Sequence, residues 1–166
     1  NKKFNFIKKN TNLLDIGASP GGWSQVSRKI ITTGKVMSLD LVDMEKIENV
    51  VFYRGNFLEQ KTKNKIMSFF DKNIDVIISD MAANTTGNKT LDCIRTNQLC
   101  ADVMVFSHEI LKPNGVLVSK IFMGEDFIEI KELARSKFKK VQFFKPESSK
   151  NESKETYVHC ATLRTL

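Results

Sequence analysis

Three residue types that organise many small proteins are scarce in this chain of 166 residues: it has 3 cysteines, 3 prolines and 2 histidines. Cys93, Cys100 and Cys160 are odd in number and none pairs at a metal-ligand spacing. That excludes a disulfide framework and a cysteine-based zinc site. They read instead as reduced thiols of a cytoplasmic protein, with Cys93 and Cys100 as small packing residues on one helix. His108 and His159 are isolated, with no His/Asp cluster around them, so no metal is expected. Proline is too sparse for an extended linker, and no repeat or low-complexity segment breaks the chain. Its apolar runs fall far short of a membrane span, and Asn1 to Phe6 contains no signal-peptide apolar core. What is left is one ordinary globular domain over 1–166, expected to be a monomer away from membranes.

What the chain does have is positive charge. It carries 26 Lys and Arg against 19 Asp and Glu, a net +7. Lys131, Arg135, Lys137, Lys139, Lys140, Lys145, Lys150 and Lys154 crowd a stretch whose only acids are Glu132, Glu147 and Glu152. Lys2, Lys3, Lys8 and Lys9 crowd the N-terminus. Such a balance suits a polyanion held through phosphate contacts, although a well-solvated surface would look the same.

Apolar and helical patterns alternate along the chain, which implies an α/β layered fold. Strands are predicted near 11–17, 36–40, 50–54, 74–80, 115–121, 140–145 and 156–163. Helices are predicted near 22–32, 57–71, 91–111 and 126–137. Leu99, Val103, Phe106 and Ile110 form the apolar stripe of the third helix, and Lys112-Pro113-Asn114-Gly115 stops it. Only a polar loop separates the last two strands, so they must pair antiparallel.

The densest signal is Leu13-Leu14-Asp15-Ile16-Gly17-Ala18-Ser19-Pro20-Gly21-Gly22-Trp23-Ser24-Gln25. An apolar strand runs into a glycine turn and then a helix. In α/β sheets that turn lies at the carboxyl end of the first strand, where ligands bind. Its spacing differs from the dinucleotide fingerprint G-x-G-x-x-G, which argues against a nicotinamide oxidoreductase. It resembles motif I of the S-adenosylmethionine-dependent methyltransferases, whose ligand has a cationic amino-acid end in place of a pyrophosphate. Asp15 would suit that end. Asp40 closes the next strand and is placed to accept hydrogen bonds from both ribose hydroxyls. Asp80 closes a third strand, Ile74 to Asp80.

Two further segments carry chemistry. Gly115 to Phe122 is an apolar strand that bears Lys120, costly there unless paired or working, with Asp80 and Glu155 as its natural partners. Lys145 to Tyr157 is a polar loop that runs into a strand. Together with Asp15 to Gln25 and Ser79 to Asn84, they resemble the FtsJ/RrmJ family, ribose 2′-O-methyltransferases of RNA, over about Lys3 to Leu163.

The resemblance implies a Rossmann-like methyltransferase fold with seven strands, mostly parallel with one antiparallel, and helices on both faces. It implies S-adenosylmethionine as cofactor and RNA as partner, a uridine of the large ribosomal subunit in particular. The family's catalytic set is Lys-Asp-Lys-Glu. Asp80, Lys120 and Glu155 match its last three members. Asp15, Gly17, Pro20, Gly21, Gly22, Trp23, Asp40, Asn56 and Asp80 are the expected cofactor contacts. Asn56 departs from the family's usual acid beside the adenine, and an amide donates as well as accepts. The first lysine belongs to an N-terminal helix of the form S-R-A-x-Y-K-L, expected to be missing here, so neither Lys2 nor Lys3 is assigned that role.

The residues also speak against rivals. Asp80-Met81-Ala82-Ala83 is not the Asp/Asn-Pro-Pro-aromatic motif of exocyclic-nitrogen methylation. No nucleophilic cysteine stands near for carbon-5 methylation, since Cys93 falls in a helix. A non-catalytic RNA-binding module with the same fold is the alternative, opposed by the intact Asp80, Lys120 and Glu155. Two roles stay open for Lys120. As a neutral amine it would remove the hydroxyl proton; as an ammonium, which neighbouring carboxylates favour, it would steer the hydroxyl and stabilise developing negative charge.

Overall fold

The computed structural model describes residues 1, 3–146 and 153–165; Lys2, Leu166 and 147–152, which include Glu147, Lys150 and Glu152, lie outside the described residues. The expected sheet is present. β1 (Leu13–Ile16) is buried along its whole length, as a continuous apolar run between two strands must be. It pairs in parallel with β2 (Val36–Asp40) on one side and β4 (Ile74–Ser79) on the other. β3 (Val51–Arg54) extends the sheet beyond β2, and β5 (Leu111–Phe122) lies beside β4, both in parallel. β7 (Glu155–Leu163) runs antiparallel between β5 and β6 (Phe138–Phe144). The order is β3-β2-β1-β4-β5-β7-β6, with β7 opposed to both of its neighbours.

Side chains alternate across this sheet. Leu14, Ile16, Met37, Leu39, Ile77, Leu117 and Ile121 enter the larger core. There they meet α2 (Gln60–Phe70), α3 (Lys89–Ile110) and α4 (Phe127–Lys137). Leu13, Val36, Val76, Ile78 and Val118 enter the smaller core on the other face. It is covered by Ile7 and by Trp23 and Ile30 of α1 (Gly22–Ile30). No helix among the described residues is long and apolar enough to cross a membrane.

Boundaries shift by a few residues from those expected of the sequence, and two of the shifts have clear local reasons. The second helix starts at Gln60 rather than 57, because Asn56 makes a turn first: its Oδ1 accepts from Leu58 N at 3.0 Å and its carbonyl from Glu59 N at 3.0 Å. The fifth strand begins at Leu111 rather than 115. Leu111 pairs with Ile74 and Val116 with Val76, so Lys112 to Gly115 bulges out of the ladder. The helix before it ends at Ile110, one residue short of the expected end and ahead of Pro113. The chain order reverses between β1 and β4, and the crevice this leaves at their carboxyl ends is where such sheets bind ligands.

Candidate active site

That crevice is a cavity of about 720 Å³. Gly17 and Ser19 from the first turn, Asp40, Asn56 and Asp80 give it polar groups, and Leu39, Leu41, Val42, Phe57, Leu58 and Met81 give it apolar walls. Asp40 is held rigidly. Its Oδ2 accepts from Ser19 N and its Oδ1 from Val42 N, each at 2.9 Å. Gly17 has φ +75°, and a Cβ there would run into the Met81 side chain, so only glycine gives the turn this shape.

Of the expected cofactor contacts, Gly17, Asp40, Asn56 and Asp80 meet on the cavity wall. Pro20, Gly21 and Gly22 lie in the turn outside that wall; Gly21, at φ +109°, is the N-cap of α1. Trp23 borders a separate apolar cavity of about 380 Å³ with Phe144 and Tyr157. Asp15 is turned inward and is 1% exposed. Its Oδ2 accepts from Ser24 Oγ at 2.6 Å, and Ser24 Oγ meets Ser38 Oγ at 2.6 Å. Its Oδ1 has no partner among the described residues. Burial pushes this carboxyl up to about 7, against the lowering effect of the Ser24 bond, with Asp80 and Asp40 adding to the rise. Asp15 thus joins β1, β2 and α1 beneath the turn and does not reach the cavity wall.

Lys120, Asp80 and Glu155 do come together. Lys120 Nζ stands 3.0 Å from Asp80 Oδ1 and 3.4 Å from Glu155 Oε2, with its side chain 11% exposed. The strand register explains the meeting: Lys120 is opposite Tyr157 and Phe122 opposite Glu155 on adjacent antiparallel strands, while Asp80 follows the end of β4. Asp80 belongs to both the cavity wall and this cluster.

One member of the cluster had no role from sequence reasoning. Tyr157 donates its hydroxyl to Asp80 Oδ1 at 2.6 Å, the same oxygen that meets Lys120. Its ring is fixed by Trp23 and Phe144, with centroids at 5.5 and 5.8 Å. Burial first, then the bond to Asp80, hold the phenol well above its ordinary range, so it remains a donor. The signal was present: Tyr157 lies two residues after Glu155, on the same face of one strand, and a buried tyrosine hydroxyl needs a partner. Lys3 reaches this neighbourhood too, with Nζ 5.4 Å from the Phe4 ring and 5.6 Å from the Phe144 ring. Lys139 and Lys140 are exposed on edge strand β6, where charge also guards against strand pairing.

The donor set fits S-adenosylmethionine. Asp40 offers acceptors suited to a ribose diol, the apolar walls beside Asn56 suit an adenine, and Asp80 suits a cationic end.

Comparison with known proteins agrees. The family model described as FtsJ-like methyltransferase matches residues 1–163. The ribosomal RNA large subunit methyltransferase E of Pelagibacter ubique is 44% identical over 163 residues, covering 98% of this chain and 80% of the relative. The protein of that name from Rickettsia akari is 40% identical over 163 residues, covering 95% and 72%. Among solved structures, one described as a ribosomal RNA methyltransferase from Plasmodium falciparum superposes with TM-score 0.86 at 29% identity, covering 98% of this chain and 91% of that one. Human methyltransferase-like protein 13, solved with SAH, shares the fold at TM-score 0.64 and 12% identity, covering 92% and 72%. With its fold, its cavity and these matches in agreement, the chain belongs to the FtsJ-like methyltransferase family.

Proposed function

We propose that this protein methylates a ribose 2′-hydroxyl of RNA, a uridine of the large-subunit ribosomal RNA, and works as a cytoplasmic monomer. The observation that carries the reading is Asp80. It lines the cofactor cavity and also holds Lys120, so the group that would meet the hydroxyl stands one contact away from the cavity that would hold the methyl donor. The names of the Pelagibacter and Rickettsia relatives support a large-subunit substrate, and the net charge of +7 suits RNA.

S-adenosylmethionine, when bound, supplies an electrophilic methyl group on a sulfonium. Asp40 would hold its ribose, Asn56 and the apolar wall its adenine, and Asp80 its amino-acid end. The remaining work is alignment of the 2′-oxygen. Two carboxylates within 3.4 Å of Lys120 Nζ favour the ammonium role for this residue. Nζ then donates to the 2′-oxygen and offsets the negative charge that builds there as its proton leaves. The Asp80 and Glu155 carboxylates beside Lys120 Nζ would accept the proton, and Tyr157 keeps Asp80 aimed at Lys120. The test is transfer of labelled methyl to large ribosomal subunits. Lys120→Ala abolishes transfer and leaves cofactor affinity within about twofold, as loss of a contact made only in the transition state does. Wild-type turnover by Lys120→Ala would make Lys120 a structural ion-pair partner and defeat the reading.

A further inference from the structure

Beyond Ser119, β5 has no β4 partner in the parallel ladder: the last rung joins Ser79 to Ser119. Lys120, Ile121 and Phe122 run on with β7 along one side only. On that antiparallel side Met123 N donates to the Lys154 carbonyl. Phe122 therefore directs its backbone groups the other way, toward the edge that β4 has vacated. An orphaned backbone pair there would be costly and would let the strand end wander.

The gap is closed by one side chain. Asn97, fully buried on α3, accepts from Phe122 N at 2.8 Å through Oδ1 and donates to Phe122 O at 3.0 Å through Nδ2. A primary amide carries the donor and acceptor of a peptide group, so it can stand in for the missing strand. Its other N–H goes to Asp126 Oδ1 at 2.7 Å, which fixes the amide's orientation. The preceding residue, Thr96, accepts from Ala83 N at 3.0 Å, in the loop that follows Asp80. Adjacent residues of α3 thus grip the chain three residues past Asp80 and two past Lys120.

We infer that Asn97 is a positioning residue for methyl transfer: by completing the hydrogen bonding of Phe122 it sets where Lys120 Nζ stands relative to Asp80. This rests on Lys120 being the group that meets the 2′-hydroxyl. Packing alone would not call for it, since a leucine would fill a buried helix position without polar groups to satisfy.

The experiment compares wild type with Asn97→Ala, and with Asn97→Asp, which keeps the size and the acceptor for Phe122 N but loses the donor. The protein is labelled with 13C at lysine, and the Lys120 signal is assigned by its loss in Lys120→Arg. In both variants the Lys120 signal moves while the other lysine signals stay, and amide exchange at Phe122 speeds by tenfold or more. Turnover falls at least tenfold in both variants, since aspartate sets an oxygen against Phe122 O and Asp126 Oδ1 where the amide donated, with the KM for S-adenosylmethionine within twofold of wild type. If Asn97→Ala does not fold, Asn97→Asp decides alone. An unmoved Lys120 signal in a folded variant overturns the inference, as does unchanged turnover beside a lowered melting temperature. The spectra test the placement of Lys120 independently of turnover, so a wild-type protein inactive on RNA would defeat the proposed function and leave this readout standing.

Discussion

Replacing Tyr157 with phenylalanine removes one oxygen and leaves the ring between Trp23 and Phe144. The lost hydroxyl donates to Asp80 Oδ1 at 2.6 Å, the oxygen that also meets Lys120. A hydrogen bond to a charged group contributes about 1.5–3 kcal/mol. The Asp80 side chain is 34% exposed, so water replaces part of that bond. About 1–2 kcal/mol remains, which is roughly 5- to 30-fold in rate if it is felt in the transition state. The phenol is held above its ordinary range by burial and by Asp80, so wild type and Tyr157→Phe should have parallel pH profiles. The assay is steady-state methyl transfer with cofactor affinity measured separately by calorimetry. Turnover falls by that factor, and the melting temperature changes little because the ring packing stays. Wild-type turnover and affinity in Tyr157→Phe would show that the hydroxyl does not hold Asp80 for catalysis.

Three further outcomes follow from the geometry. Asp40→Ala removes the acceptors expected for the ribose and releases Ser19 N and Val42 N, so cofactor affinity by calorimetry falls by about 1–3 kcal/mol; unchanged affinity removes Asp40 from the site. Asp15, raised to about 7, keeps a proton in the native state that the unfolded chain has released. Its contribution to stability therefore falls as pH rises from about 4 to 7 and is flat above, a change of roughly 4 kcal/mol at most. Asn at this position has no such proton. Urea unfolding of Asp15→Asn at about pH 5 and about pH 8 should show a smaller loss with pH than wild type, and equal losses would contradict it. RNA affinity should fall linearly in log–log against salt, with a slope of about −0.7 per phosphate contact on single strands; a flat plot would sink the electrostatic reading.

Much of this molecule is legible in its sequence because the sheet announces itself. Buried parallel strands read as apolar runs, and each run here ends in a polar or glycine turn that the structure gathers into one crevice. The link from Pro146 to Lys154 dictates the antiparallel β7 by its length alone. Orientation is harder to read. β1 is apolar on both faces, so no alternation reveals that Asp15 points to Ser24 rather than into the cavity. The role of Tyr157 depends on its register opposite Lys120, which the spacing of residues along the chain does not announce. Leu99 reads as part of a core stripe, yet it lines the cavity, since periodicity finds a helix face and not what that face meets. Asn97 had no pattern to betray it: its partners on β5 are backbone groups, and backbone groups are the same in every sequence.

The most direct test of the central claim is the chemical position of the methyl group. Large ribosomal subunits are incubated with the protein and methyl-labelled S-adenosylmethionine, and the RNA is then hydrolysed in alkali. Alkaline cleavage needs a free 2′-hydroxyl beside the phosphodiester bond, so a 2′-O-methyl leaves an uncleaved dinucleotide. The label is expected in one alkali-stable dinucleotide with wild type and nowhere with Lys120→Ala. Label released in a mononucleotide, which places the methyl on a base, or a bound cofactor with no transfer to RNA, would contradict the account.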